Sequence, residues 1–234
     1  MSILERLSAA TRALSVGGQI SSLLGRGSSS QASEIPGPDN EVPFTVGVIV
    51  LSAKMAKADG MVAADEVRAF KEAFEISAEE MKQAAPIFNS AKRDAANFEE
   101  CAEQLAAVFK GDRKLLEDVL DGLFHIAKAD EEVRPQEERF LREVAKRFGF
   151  SGEEINSIRA RHMAAAKRDP YEVLGVKPSI SHEQLERHYG MLVADTDTEQ
   201  LVARGVPKEF MAIATEKRAA LNEAYKAIVK DRAG

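Results

Sequence analysis

Apolar positions along most of the chain recur at helical spacing, and no strand-length run alternates apolar with polar. Over residues 1–14, Ile3, Leu4, Leu7, Ala10 and Leu14 form a narrow stripe. That stripe predicts an N-terminal amphipathic helix within residues 1–25, docking on the body of the protein or on a partner. Residues 26–42 are rich in Ser, Gly and Pro and lack periodicity, as expected of a flexible linker. From residue 43 to about 166 the pattern is helical throughout. Val46 to Lys57 is apolar and small, a buried helix, and Asp65 to Phe74 places Val67, Phe70 and Phe74 on one face. Leu115 to Lys128 turns Leu116, Val119, Leu120, Leu123 and Phe124 inward, and Glu137 to Phe148 does so with Phe140, Leu141, Val144 and Phe148. Such stripes on short joints predict an all-α bundle.

At residue 168 the pattern changes. Pro170 can open a short helix and Gly175 can close it. His182 to Val193 then places Leu185, Tyr189 and Leu192 on one face. Pro207 starts a last helix reaching about Val229, with Phe210, Ile213, Leu221, Tyr225 and Ile228 inward. Residues 168–234 thus predict a small helical hairpin whose two long helices are joined through a polar connection, residues 195–206. Asp195, Asp197 and Glu199 crowd into that connection with Thr between them. It reads as a solvated loop; a small cation site is the sharper alternative, although no Gly permits a tight wrap there.

Charge narrows the function. The net charge is −6 and no segment is a basic tail, so a nucleic-acid footprint is not expected. The single cysteine, Cys101, excludes an internal disulfide and fits a cytoplasmic location. No run has the length and apolarity of a membrane span, and Arg6 and Arg12 interrupt the weak apolar stretch at the start, so association with a membrane surface could come only through residues 1–14. No nucleophile–base pair, phosphate-cradling Gly loop or Cys/His metal spacing is present, and no catalysis is expected.

An internal repeat runs through the predicted bundle. Ala56-Lys-Ala-Asp-Gly-Met-Val62 recurs as Ala127-Lys-Ala-Asp-Glu-Glu-Val133, and Glu66 and Arg68 recur as Glu137 and Arg139 without a gap. Two such turns resemble the TerB-like, tellurite-resistance helical domain over roughly residues 44–165. That resemblance implies a divalent-cation site on Asp59, Glu66, Asp130 and Glu137. Read as residues alone, the same carboxylates serve equally as helix caps.

The C-terminal segment carries a second resemblance. Asp169-Pro-Tyr-Glu-Val-Leu-Gly-Val176, the helix with Tyr189 and Leu192, and Ala220-Leu-Asn-Glu-Ala-Tyr-Lys-Ala-Ile228 are similar to the J domain of DnaJ-type co-chaperones. The order of the two units and the word Ala203-Arg-Gly-Val-Pro207 point to the DjlA-like branch of that family. The resemblance implies a DnaK-type heat-shock chaperone as partner, bound through the penultimate helix and the loop after it, here Arg187, His188, Asp197, Thr198 and Glu199. The signature His-Pro-Asp of that loop falls on Asp197-Thr198-Glu199, which matches at no position. The preceding helix carries Glu183 and Glu186 beside Arg187 and His188, where the family is basic. A co-chaperone or chaperone adaptor with impaired ATPase stimulation is therefore expected. The rival is a metal-responsive stress protein in which the J-like segment is an appendage.

Overall fold

The computed structural model describes residues 40–59, 78–93, 97–128 and 133–233, and among these there are helices and no strand. The N-terminal helix, most of the linker, the helix expected over residues 65–74, and the turns that follow Asp59 and Lys128 lie outside the described residues.

Among the described residues the body has six helices: α1 (Glu41–Asp59), α2 (Ala78–Arg93), α3 (Phe98–Val108), α4 (Arg113–Ala127), α5 (Pro135–Arg147) and α6 (Gly152–His162). Glu41 and Val42, placed in the linker from the sequence, already belong to α1. From Phe44 to Ala56 every position of α1 is buried, and at Gly47 the packing is so close that an ideal Cβ would collide with the Leu105 side chain of α3. A helix apolar on all sides can only sit at the centre, and α1 packs on α2, α3, α4 and α5. Its two buried hydroxyls satisfy themselves along the helix: Thr45 Oγ1 donates to Glu41 O at 2.9 Å and Ser52 Oγ to Val48 O at 2.7 Å.

Three of the other described body helices, α3, α4 and α6, start on polar side-chain caps. Asn97 accepts from Glu100 N, Asp112 from Lys114 N and Leu115 N, and Ser151 pairs with Glu154 in a reciprocal box. Pro135 opens α5 from its first turn, where its missing N–H costs nothing.

Beyond His162 a 3-10 turn (Ala165–Lys167) leads to α7 (Pro170–Leu174), α8 (His182–Asp195), α9 (Thr198–Arg204), a second 3-10 turn (Lys208–Phe210) and α10 (Met211–Ala233). The short helix opened by Pro170 forms as expected, and Gly175 closes it in the left-handed region at φ 65°. The last long helix begins at Met211 rather than Pro207, because Pro207 holds extended backbone and Lys208–Phe210 tighten into a 3-10 turn first. The expected solvated loop between α8 and α10 is largely a helix.

Among the described residues two apolar clusters result. The smaller belongs to the hairpin: Val173, Leu174, Leu185, Leu221, Ala224 and Ile228, with Ala160 of α6 beneath it. Tyr189 and Tyr225 stack beside it at 4.1 Å. The larger fills the body, and it also takes in Leu201, Val206, Phe210 and Ile213 from the far end of the hairpin. Phe210 and Ile213, expected to face the hairpin's own core, face the body instead.

Candidate partner-binding site

The sequence points to α8 and the connection after it, and their side chains divide into an exposed set and a buried set. Ser181 and Gln184 cap α8 reciprocally, fixing its first turn. Arg187 is exposed and is tied to Glu183 one turn back, Nη2 to Oε1 at 2.7 Å. His182 lies 3.4 Å from Glu186 in the same way. His188 turns inward, its Nε2 lying 2.8 Å from Leu174 O, so it braces α8 on α7. Met191 is 55% exposed and is the one large apolar side chain standing out among the described residues.

The connection is built from its ends. Thr196 is buried; its hydroxyl donates to Val193 O at 2.7 Å and accepts from Arg218 Nε at 2.8 Å. Asp197 is the N-cap of α9 and accepts from Glu199 N at 3.0 Å. Thr198, Glu199 and Gln200 are exposed on the first turn. Leu201 is buried, and the helix ends on Gly205 at φ 91°. Gly205 N donates to Val202 O and Val206 N to Leu201 O, each at 3.0 Å, which satisfies the terminal carbonyls. A side chain at Gly205 would be strained by its φ and would stand 2.6 Å from Asn40 Cβ at the start of α1.

Arg204 carries most of the contacts of this end. Its Nη2 donates to Asp118 Oδ2 at 2.9 Å and to Asp195 O at 3.1 Å, while its own carbonyl accepts from Asn40 Nδ2 at 3.1 Å. Asp195 pairs with Lys114 of α4. Phe210 presses against the bare backbone of Gly122 on α4 and meets Phe44 of α1 edge-on at 4.6 Å.

Beneath this end lies a buried charge cluster. Glu117, Asp118 and Asp121 line one side of α4, and Lys217 of α10 reaches Glu117 Oε1 at 2.9 Å, Asp121 Oδ2 at 2.8 Å and Asp118 Oδ1 at 3.9 Å. Arg161 of α6 pairs with Glu117 and touches Ser157 Oγ and Val173 O. His162 Nε2 sits 2.8 Å from Asp121 Oδ1, its ring stacked on Phe124 at 5.5 Å. Burial raises Glu117, but Lys217 and Arg161 outweigh it and hold its pKa at about 2. Burial likewise opposes ionisation of Asp121, and Lys217 with His162 overcomes it, holding the carboxyl below the usual carboxylate range. At Asp118 burial wins against Lys217 and Arg204, pushing it up to about 7. Burial depresses His162 and favours its neutral form, in which Nε2 donates to Asp121.

The expected cation ligands are placed only in part. Asp59 is the last residue of α1, and Glu66 and Asp130 lie outside the described residues. Glu137 is buried and caps α5, its Oε2 accepting from Arg134 N at 2.8 Å. The structure does not gather Asp195, Asp197 and Glu199: the first pairs with Lys114, the second caps α9, and the third is exposed. Among the described residues no group of three or more His, Cys, Asp or Glu is arranged for a metal ion. Among them, too, no helix is long and apolar enough to cross a membrane.

Sequence reasoning missed Asn40, Glu117, Asp118, Asp121, Gly122, Arg204 and Lys217. One signal was available. The three acids of α4 interleave with Leu116, Val119 and Leu120, so they border the apolar face rather than oppose it.

Residues 45–160 match the family described as TerB, Tellurite resistance protein TerB. Across most of its length the chain is similar to proteins named Co-chaperone protein DjlA. It is 26% identical over 227 residues to the one from Vibrio cholerae, covering 83% of this chain and 80% of that protein. For Photobacterium profundum the identity is 27% over 221 residues, covering 83% and 79%, and for Coxiella burnetii 25% over 198 residues, covering 76% and 73%. No solved structure matches.

Proposed function

The chain is a DjlA-like protein carrying a TerB domain at residues 45–160, and from that premise we propose that it acts as a DnaJ-type co-chaperone. It binds a DnaK-type heat-shock chaperone through the outer face of α8 and the first turn of α9, and it performs no chemistry of its own. Arg187, Thr198 and Glu199 contact the partner, Asp197 sets the turn that presents them, and His188 holds α8 in place from behind. The observation that carries this reading is the hairpin of α8 and α10 around its own small apolar core, with the signature positions 198 and 199 exposed at its end.

Stimulation of the partner's ATPase is impaired. His-Pro-Asp is replaced, and Glu183, Glu186, Asp197 and Glu199 make the presented surface acidic, with Arg187 already neutralised by Glu183. Like charges facing an acidic partner surface slow encounter and weaken the complex. The test is ATP turnover by a DnaK-type chaperone with and without this protein, which should show weak stimulation at most. Strong stimulation overturns the impairment. Converting Asp197-Thr198-Glu199 to His-Pro-Asp is compatible with α9. Position 198 is its first residue, where Pro is well tolerated, and the weaker cap at 197 costs about 1 kcal/mol. This triple substitution should raise stimulation only in part, because Glu183 and Glu186 remain.

A further inference from the structure

A partner-facing loop works best when its shape is fixed before the encounter, since ordering it on binding subtracts from affinity. In this chain the connection between α8 and α10 has Thr198 where a proline would stiffen it, and α9 is only seven residues long. A helix of that length is marginal by itself. The fixing contacts come instead from the body. Arg204 is held by Asp118, and its carbonyl by Asn40. Lys114 holds Asp195, and Lys217 anchors the first turns of α10 on Glu117 and Asp121. Leu201, Val206 and Phe210 are buried in the body's core, whereas Thr198, Glu199 and Gln200 on the first turn of α9 are exposed. The body also meets the near end of the hairpin, where Ser157 and Arg161 of α6 reach Val173 O and Ala160 packs under the small core. Along the hairpin, a crevice of about 440 Å³ opens between α6 and α8, lined by Ser157, Arg161, Tyr171, Lys177, His188 and Leu192 among others.

We propose that the TerB unit is a positioning scaffold for the partner-facing turn: α4, with the start of α1, clamps the back of α9 and the 205–210 segment so that residues 197–200 are presented in one conformation. Asn40, Asp118, Gly122, Arg204 and Phe210 are positioning residues in this sense. The inference rests on the binding role proposed above and adds that the two units form one binding module. Buried ion pairs suit the task, since they fix orientation more than they add stability.

Gly122 gives a clean wedge. A Cβ there would stand 2.6 Å from Phe210 Cε1, so Gly122→Ala must push the ring out while leaving every charge in place. Ala also favours α4 by roughly 1 kcal/mol of helix propensity. In the 234-residue chain, hydrogen exchange of residues 197–206 should quicken at least tenfold, and by a larger factor than that of α8 and the part of α10 beyond residue 220. Affinity for an immobilised DnaK-type chaperone should fall by roughly tenfold, the cost of ordering a loosened turn on binding. Gly122→Ala with Phe210→Leu removes the collision and should recover both readouts in part, short of the natural level because the ring contact with Phe44 is lost; Arg204→Met should reproduce the wedge without touching the apolar contact. Unchanged exchange overturns the inference, as does quickened exchange with equal affinity. Tighter binding overturns it too, because the body would then be masking the turn. If the natural chain binds no DnaK-type chaperone, the proposed function fails and takes this inference with it; equal affinity of the natural and wedge proteins defeats the inference alone.

Discussion

Lys217 is one ammonium among three carboxylates, 8% exposed at its side chain, and its pKa is driven up because Asp121 and Glu117 outweigh the cost of burial. Replacing it with Met leaves Glu117 and Asp121 facing each other with Arg161 and His162 as their remaining buried partners. Breaking a buried pair in this way costs about 3–5 kcal/mol, read as a lower urea midpoint at unchanged slope. Asp118 makes the cluster respond to pH in an unusual direction. Its pKa rises from 3.8 to about 7 on folding, with burial as the main cause. Its contribution to stability is therefore complete below pH 3.8 and is lost as pH rises through 7. Against Asp118→Asn, the natural chain should lose up to about 4 kcal/mol of stability between pH 4 and pH 9. The depressed histidines act alike in both proteins and cancel from that difference. A flat difference would show that Arg204 keeps Asp118 ionised. Nothing local in the sequence reveals this behaviour. Asp118 and Asp121 read as the polar border of an amphipathic helix, and they are buried only because α9 and α10 bring cations to them from about 85 to 100 residues further on.

At the scale of the element, α9 shows why legibility fell off between α8 and α10. The long helices were readable because each buries a stripe at helical spacing: α4, α5, α8 and α10 lie close to where periodicity puts them. The seven residues of α9 carry one buried apolar side chain, Leu201, and so no period can be counted. The terminal signals were nevertheless present, Asp197 at the cap and Gly205 past the end. The resemblance to a loop-bearing family hid them. Both ends are testable. Asp197→Ala removes the acceptor for Glu199 N and should cost about 1 kcal/mol, with quickened hydrogen exchange confined to the first turn. Gly205→Ala forces a side chain into φ 91° against Asn40. It should cost roughly 1–2 kcal/mol from backbone strain alone and more from the collision. If the two substitutions cost the same and loosen the same amides, α9 is held by its own hydrogen bonds and the approach to α1 contributes nothing.

At the scale of the molecule, the sequence divides the chain near residue 168, whereas the apolar clusters divide it elsewhere: the far end of the hairpin shares the body's core and only its near end has a core of its own. The body without residues 169–233 would expose the apolar contacts of Phe44 and Gly122 and leave Glu117, Asp118 and Asp121 without Lys217 and Arg204. The hairpin without the body would expose Leu201, Val206, Phe210 and Ile213 and lose Ala160 from beneath its own cluster, and the six buried residues left there are little to fold around. The two should therefore unfold as one cooperative unit. The chain supplies its own local probe: it has no Trp, and its three Tyr (171, 189 and 225) all lie in the C-terminal segment. Tyrosine fluorescence in urea consequently follows the hairpin, while far-ultraviolet circular dichroism follows all the helices. Coincident transitions are expected. In Gly122→Ala, where the wedge separates the shared core, the tyrosine transition should move to lower urea than the helical one. Separate transitions in the natural chain would mean that α10 and α4 touch without stabilising each other, and that the buried charges set their orientation only.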